Sequence, residues 1–398
     1  MTEHVLKELP AGIERSDRRQ QIFDAVQSLC ARFDDAYWRK KEREHAFPFE
    51  FHRAFAEGGW LGITMPKEFG GSGLGVSDAA LMMQIVGNSA GAISACSSIH
   101  INLFGPHAIV NHGSTEQKLK FIPPLIDGNH KVAFGVTEPN AGLDTSSIST
   151  TGRRVGDRYV ISGQKMWTTT AQEANKILLL VRTTPKDQCL KPMDGLTLFY
   201  CDLDRRRIEV KAIDKMGRNA VDSNMVFIDN LEVDLESRIG NEGDGFRLLL
   251  DSLNPERILI ASETIGVGKR AVDLAAKYAS EREVFGRKIG ENQSIQHPLA
   301  ESWMALEAAD LMVWHAARSY DNGRNCGAEA NAAKYLAAEA AFEACDRALR
   351  THGGVGYAKE YNIERYLREV MLMRIAPISR EMILCYIAEK VLGLPRSY

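Results

Sequence analysis

The sequence predicts a multi-domain protein of mixed α and β class: an N-terminal helical domain over residues 1–130, a middle β barrel or sandwich over 131–243, and a C-terminal helical domain over 244–398. Three observations carry this reading. The chain has 398 residues, enough for two or three domains at about 150 residues each. Apolar residues recur at helical spacing in the first and last thirds. Between them, short runs rich in β-formers return roughly every ten residues, the rhythm of a compact sandwich or barrel.

The elements follow in order. Ile22, Phe23, Val26, Leu29 and Phe33 form one helical stripe, which Phe47-Pro48 interrupts before a second helix begins at Phe49. The Gly-rich stretch from Lys67 to Gly75 reads as a loop leading to a helix near Ser77-Asp78. Residues 77–112 are rich in Ala and Ile, as in a buried helix pair, and Ser114-Thr-Glu-Gln117 is a capping signal for one more helix. Strands are expected at Val132–Val136, Tyr159–Ser162, Ile177–Arg182, Leu196–Tyr200, Ile208–Val210 and Met225–Ile228, with a hairpin turn at Gly156-Asp157. Phe246, Leu249, Leu250 and Leu253 then restart a helical stripe, and long helical patterns cover 297–321, 327–350 and 360–392.

Composition narrows the class. Hydrophobic residues make up 44% and charged residues 25%, ordinary globular values that exclude disordered and fibrous chains. The net charge of 49 − 52 = −3 argues against nucleic acid, whose phosphates need a basic surface. The seven Cys include no CxxC pair, so no metal site and no disulfide framework is expected. The N-terminus lacks an apolar core and no run of about 18 apolar residues occurs, so neither a signal segment nor a membrane span is expected. The expectation is a cytoplasmic protein, bacterial cytosol first and mature mitochondrial matrix second.

Four segments can carry chemistry. Ala133–Asp144 runs from a strand into a Pro/Gly loop with Thr137, Asn140 and Gly142, suited to presenting backbone N–H groups to a polar ligand or simply to turning the chain. In Gly163–Thr169, alternation puts Trp167 and Thr169 on one face and Thr168 on the other, so an aromatic stands beside a hydroxyl. A core Trp has the same pattern. Ser280–Lys288 places Arg282 and Arg287 around a Phe-Gly break, a phosphate-binding arrangement or a solvated helix end. Thr351–Tyr357 is a Gly-rich turn between helical patterns, where backbone can approach a ligand closely; no strand precedes it, which excludes a dinucleotide-fold fingerprint.

Together and in this order, AFGVTEPNAGLD, GQKMWTTT, IGNEGDGF, EREVFGRKIGENQSIQ and THGGVGY resemble the acyl-CoA dehydrogenase family of flavoproteins from about residue 60 to 390. The resemblance implies a C-terminal four-helix bundle, a homotetramer built as a dimer of dimers, FAD as cofactor, an acyl-CoA substrate and electron-transferring flavoprotein as electron acceptor. Carried over by motif, Phe134, Val136, Thr137 and Gly142 line the flavin, and Trp167 and Thr169 pack near its reactive edge. Arg282, Phe285 and Gln293 reach a neighbour's FAD, Gly353 and Gly354 run along the adenine end, and Ser379 belongs to the cofactor site. Ser94, Cys96, Ser97 and His100 fall where the substrate is expected. In the family reaction, a carboxylate takes the α proton of the thioester while the β carbon delivers hydride to the flavin. Many members carry that base in a C-terminal turn, which here reads Ala376-Pro377-Ile378-Ser379, and Pro377 has no basic group. Isovaleryl-type and long-chain-type members place the base before an Arg on an earlier helix. Here that position is Glu256, followed by Arg257 on the substrate side. Taken alone, Asn254-Pro255 reads as a helix start, which would make Glu256 an ordinary first-turn acid. Oxidase, desulfinating and non-enzymatic relatives, including a DNA-protecting one, are the alternatives to a dehydrogenase.

Overall fold

The computed structural model describes Leu6 and residues 8–397. The first part holds helices α1 (Asp17–Ala31), α2 (Asp35–Glu44), α3 (Phe49–Glu57), α4 (Val76–Asn88), α5 (Ala92–Phe104), α6 (His107–His112) and α7 (Thr115–Ile126). Ser16 caps α1 by accepting from the Arg19 N–H, and the expected stripe Ile22, Phe23, Val26 and Leu29 is its buried face. The Ser114–Gln117 signal is a complete capping box at the start of α7. Every residue of α4 and α5 is buried, which explains why their sequences are apolar all round.

The middle part is an eight-stranded sheet made of β1 (Val132–Gly135), β2 (Thr151–Val155), β3 (Arg158–Thr169), β4 (Lys176–Arg182), β5 (Leu196–Asp202), β6 (Ile208–Ala212), β7 (Ser223–Asp234) and β8 (Arg238–Ile239). The order is β6-β7-β3-β2-β4-β5-β8, with β1 parallel to β4. Gly156-Asp157 turns the β2–β3 hairpin, where Val155 pairs with Arg158. The run Ile177–Val181 is apolar throughout because β4 lies between two cores. Leu178 and Leu180 face Phe121, Ile122 and Leu248 of the helical side, while Ile177, Leu179 and Val181 face Tyr159, Ile161 and Phe199 within the β part.

The last part holds α8 (Gly245–Glu281), a small hairpin of β9 (Glu283–Val284) and β10 (Arg287–Lys288), then α9 (Gln293–Asp321), α10 (Gly327–His352), α11 (Ile363–Met371) and α12 (Arg380–Lys390). One core joins α1, α4 and α5 to α8, α9 and α10, so the first and last parts share their interior. The helical stripe expected from Phe246 belongs to α8, which starts at Gly245 and runs 37 residues straight through Pro255, so the alternative reading of Asn254 as a helix cap does not hold. Pro255 supplies no N–H to the preceding turn, but the packing of α8 against α4 and α10 outweighs that local loss. The pattern over 360–392 is two helices, divided by the turn at 375–379.

Among the described residues no helix is long and apolar enough to cross a membrane, and no cluster of His, Cys, Asp and Glu is built to hold a metal ion. The seven cysteines are free.

Candidate functional site

β1 runs into the loop that begins at Val136, and a buried ion pair holds that loop. Glu138 accepts from the backbone N–H groups of Ser149 and Thr150 at 2.6 and 2.9 Å, from the Ser149 hydroxyl at 2.8 Å, and from Lys165 Nζ at 2.9 Å. Lys165 on β3 is fully buried and also donates to the Val136 carbonyl at 3.2 Å. Burial opposes the charge on Glu138, but Lys165 and the N–H and hydroxyl donors outweigh it and hold the carboxyl at about 2. Burial lowers the Lys165 ammonium to about 8, against the pull of Glu138.

One hydrogen bond ties this loop to a bulge. The Met166 N–H donates to the Thr137 carbonyl at 2.8 Å, and the pairing of β3 with β7 shifts register between Lys165 and Thr168. Trp167 takes a left-handed backbone, φ 58°. The extra residue lets Lys165 and Thr168, three apart, both point inward, which plain alternation forbids. Trp167 is left 51% exposed with Thr169 beside it, and Thr168, on the opposite face, is buried, so Trp167 is not a core residue of the chain. Phe134 is half-buried against the Phe104 ring at 5.4 Å between centroids, Val136 is buried, Thr137 is half-buried and Gly142 is exposed. Phe134, Val136, Thr137, Trp167 and Thr169 are therefore gathered at one corner of the sheet.

Glu256 lies in the interior of α8 and is 7% exposed. Among the described residues none hydrogen-bonds its carboxylate. Burial raises it from 4.5 to about 7, opposed by the positive charges of His100, Arg257 and Lys334. Two turns on, Glu263 pairs with His100 Nδ1 of α5. Burial works against a charged His100, but Glu263, helped by Glu256, outweighs it and raises the imidazole above its ordinary value. Arg257 is half-buried, donates to Asn254 Oδ1 at 3.2 Å, and is lowered by burial. Lys334 on α10 is buried, lowered to about 8 chiefly by burial, and donates to the Ile378 carbonyl at 2.7 Å, which anchors the turn containing Pro377. Ser379 of that turn caps α12, accepting from the Met382 N–H at 3.3 Å.

Of the four residues expected near the substrate, two are turned to other tasks. Ser94 donates to Glu369 at 2.7 Å, and the Cys96 thiol faces the Met83 carbonyl with its pKa raised by burial. Ser97 accepts from Arg218 at 3.1 Å. Arg218 also donates to the hydroxyls of Thr169 at 3.3 Å and Ser223 at 3.0 Å, so it links α5 to the bulge of β3.

The structure does not bring the remaining predicted residues to this corner. Arg282 and Gln293 are exposed, and Phe285, at φ 54° in the β9–β10 hairpin, is fully exposed. Gly353 and Gly354 are exposed too, and a Cβ at either would meet nothing within 4 Å. Sequence reasoning missed Glu138, Lys165, Arg218, Glu263 and Lys334. The first two had a signal, since each sits inside a quoted motif next to a predicted site residue. The other three lie in segments that showed no motif of their own.

Comparison with known proteins bears on the same three segments. Residues 16–129 match the acyl-CoA dehydrogenase N-terminal domain, residues 133–231 the middle domain and residues 243–392 the C-terminal domain. The chain is 35% identical over 390 residues to acyl-CoA dehydrogenase FadE12 of Mycobacterium tuberculosis, covering 96% of this chain and 98% of that one. It is 35% identical over 348 residues to the 3-(aryl)acrylate reductase of Clostridium sporogenes, covering 87% and 91%. A solved FAD complex of PigA superposes with a TM-score of 0.90 at 25% identity, covering 96% and 99%.

Proposed function

The chain belongs to the acyl-CoA dehydrogenase family, and on that premise we propose that it is an FAD-dependent enzyme that removes the α and β hydrogens of an acyl-CoA thioester to give the trans-2-enoyl-CoA. The observation that carries the reading is Glu256: a buried carboxyl with no hydrogen-bond partner among the described residues, raised to about 7, in a chain whose alternative base position is Pro377. A base near neutrality is better matched to a weakly acidic α proton than a free carboxylate.

The corner formed by Thr137, Trp167 and Thr169 suits FAD. An exposed indole on a left-handed bulge stands beside a hydroxyl and an open glycine loop, and a buried ion pair fixes that loop from behind. When bound, the flavin supplies the hydride acceptor. The chain's own residues do the rest. Glu256 takes the α proton, and its burial keeps it basic. Arg257 and Lys334 place positive charge beside it, and Lys334 holds the 376–379 turn through the Ile378 carbonyl. A donor must polarise the thioester carbonyl as negative charge develops there, and we assign this to backbone N–H groups of that turn, where Pro377 has none.

Arg282, Phe285, Gln293, Gly353 and Gly354 complete the FAD site of a neighbouring subunit in this reading, which accounts for their exposure in a single chain. Exposed Trp303, Met304 and Leu311 on α9 add an apolar face for a homotetramer. Electron-transferring flavoprotein takes the electrons in a cytoplasmic β-oxidation-type pathway. The division at 130 and 243 belongs to the same reading, supported by the change from helices to strands and back.

A second reading runs the reaction backwards. A carboxyl near 7 can donate a proton as readily as accept one, and a relative 35% identical is named for reducing an acrylate. One experiment tests both. The purified protein should be yellow, and anaerobic mixing with short, branched, aromatic-bearing and long acyl-CoAs should bleach the flavin with at least one of them. Reoxidation of the reduced protein by an enoyl-CoA faster than its reduction by the saturated partner favours the second reading. A colourless protein that gains no flavin absorbance on adding FAD overturns both.

A further inference from the structure

We propose that the cleft between the first two helices and the middle of α8 is a second ligand site, built for a nucleoside phosphate. The cleft holds about 700 Å³, within the range of small-molecule pockets. Its walls come from the end of α1, the start of α2, the end of α4, α8 and the turn before α11. From α8 it takes Arg270, Leu274 and Lys277, one face of the helix, at least about 20 Å along the axis from Glu256. None of the residues gathered at the flavin corner lines it.

The charges around the cleft leave two cations without acids. Arg270 is buried and donates to the Tyr366 hydroxyl at 2.9 Å, the Asn88 carbonyl at 3.2 Å and Asp35 at 3.4 Å, so the Asp35 carboxylate is paired. Asp34 caps α2 by accepting from the Tyr37 N–H at 2.9 Å, and Glu360 is exposed to water. Arg39 and Lys277 line the cleft half-buried, and among the described residues neither meets a carboxylate. Arg39 donates to the Glu360 carbonyl at 3.4 Å. Asp35 and Ala36, the first two residues of α2, line the cleft as well, and the first N–H groups of a helix find no partner within it. Two cations beside a helix N-terminus suit a phosphate group.

Asn362, which lines the same cleft, points to a ligand independently. It is 4% exposed, its Oδ1 is buried with no partner, and its backbone is left-handed, φ 62°. It stands at the N-cap of α11, where an Asn ordinarily bonds the first turn, yet it makes no capping bond. Its amide thus serves neither the helix nor the core. The terminal torsion of an Asn is broad and two-fold, so it can present either amide atom to the cleft, and an amide offers donor and acceptor side by side, the pattern of a nucleobase edge. The remaining walls include Phe33, Ile85, Leu274 and Tyr361, whose ring Tyr278 and His352 brace edge-on at 6.5 and 6.2 Å between centroids. A bare phosphate would leave these walls and most of the volume unfilled. A flat base against them, with its edge at Asn362 and its phosphate at Arg39 and Lys277, uses all three features.

The test is isothermal titration calorimetry of the FAD-loaded protein with AMP, GMP and UMP, the matching nucleosides and inorganic phosphate. At least one nucleotide should bind, and more tightly than both its nucleoside and phosphate by about tenfold or more. Arg39→Met and Lys277→Met should each weaken that nucleotide by about tenfold or more, the loss expected for a hydrogen bond to a charged group, while flavin content and the rate of flavin bleaching by the best acyl-CoA stay unchanged. Asn362→Gly keeps the left-handed backbone without strain and removes only the amide, so it should fold as the wild type does and bind the nucleotide more weakly. No nucleotide bound at millimolar concentration overturns the proposal, as does phosphate bound as tightly as the nucleotide, which would leave only an anion site. Displacement of the nucleotide by a saturating enoyl-CoA would place it in the substrate site and overturn the proposal too, as would unchanged affinity in all three variants. Each of these results leaves the reading of Glu256 untouched.

Discussion

Replacing Glu256 by Gln should make the protein more stable at alkaline pH and leave its stability unchanged in acid. The carboxyl is 7% exposed, and burial raises it from 4.5 to about 7. At about 1.4 kcal/mol for each tenfold change, the cost of keeping it ionised in the folded protein is about 3 kcal/mol. The sign follows from proton binding. Below pH 4.5 the group is protonated in both folded and unfolded chains, so it costs nothing. Between 4.5 and about 7 the folded chain binds the proton more tightly, and stability falls as pH rises. Above about 7 the full cost applies. Gln keeps the shape of Glu and cannot ionise, so its advantage appears only as pH rises. Urea unfolding of wild type and Glu256→Gln, at about pH 8.5 and at the lowest pH where both remain folded, measures this as about 3 kcal/mol at the first and a shrinking difference towards the second. Equal stability at the alkaline pH, or a loss in the variant, would refute the claim that Glu256 sits in a buried, unpaired site.

Lys165→Met leaves Glu138 buried without its cation, a change that costs about 3–5 kcal/mol, and it should loosen the loop at 136–144; thermal unfolding and FAD retention after gel filtration check both effects. Arg282→Ala should reduce FAD retention without altering the helical circular dichroism, because the side chain is exposed in one chain; a stable monomer that keeps FAD at full affinity would contradict a site shared between subunits.

Much of the framework was legible because local and tertiary signals agree. The stripe of α1, the capping box of α7, the turn at Gly156-Asp157 and the apolar run of β4 are each dictated by neighbours in sequence, and each is where it was expected. The stripe from Phe246 marked the start of α8, while Asn254-Pro255 left a later start open as a sound local signal; the packing of α8 on both sides shows that the helix runs through it. The bulge at Trp167 was invisible for a related reason, since Lys165 reads as a surface residue until Glu138 is known to stand opposite. Arg218 was the hardest to foresee. Its partners lie at 97, 169 and 223, and nothing in the spacing of residues in sequence brings α5 against the β3 bulge.

The central claim is that Glu256 removes the α proton. Rapid mixing of FAD-loaded Glu256→Gln with the best acyl-CoA of the panel, following flavin absorbance, tests it most directly. Flavin reduction should slow by about 10²–10⁴-fold or more, with FAD content and acyl-CoA binding retained. In the wild type the reduction rate should rise with pH through about 7, as the carboxyl ionises. Reduction of the variant at the wild-type rate would contradict the claim and place the base elsewhere, with Glu381, just past the 376–379 turn, the next to be replaced.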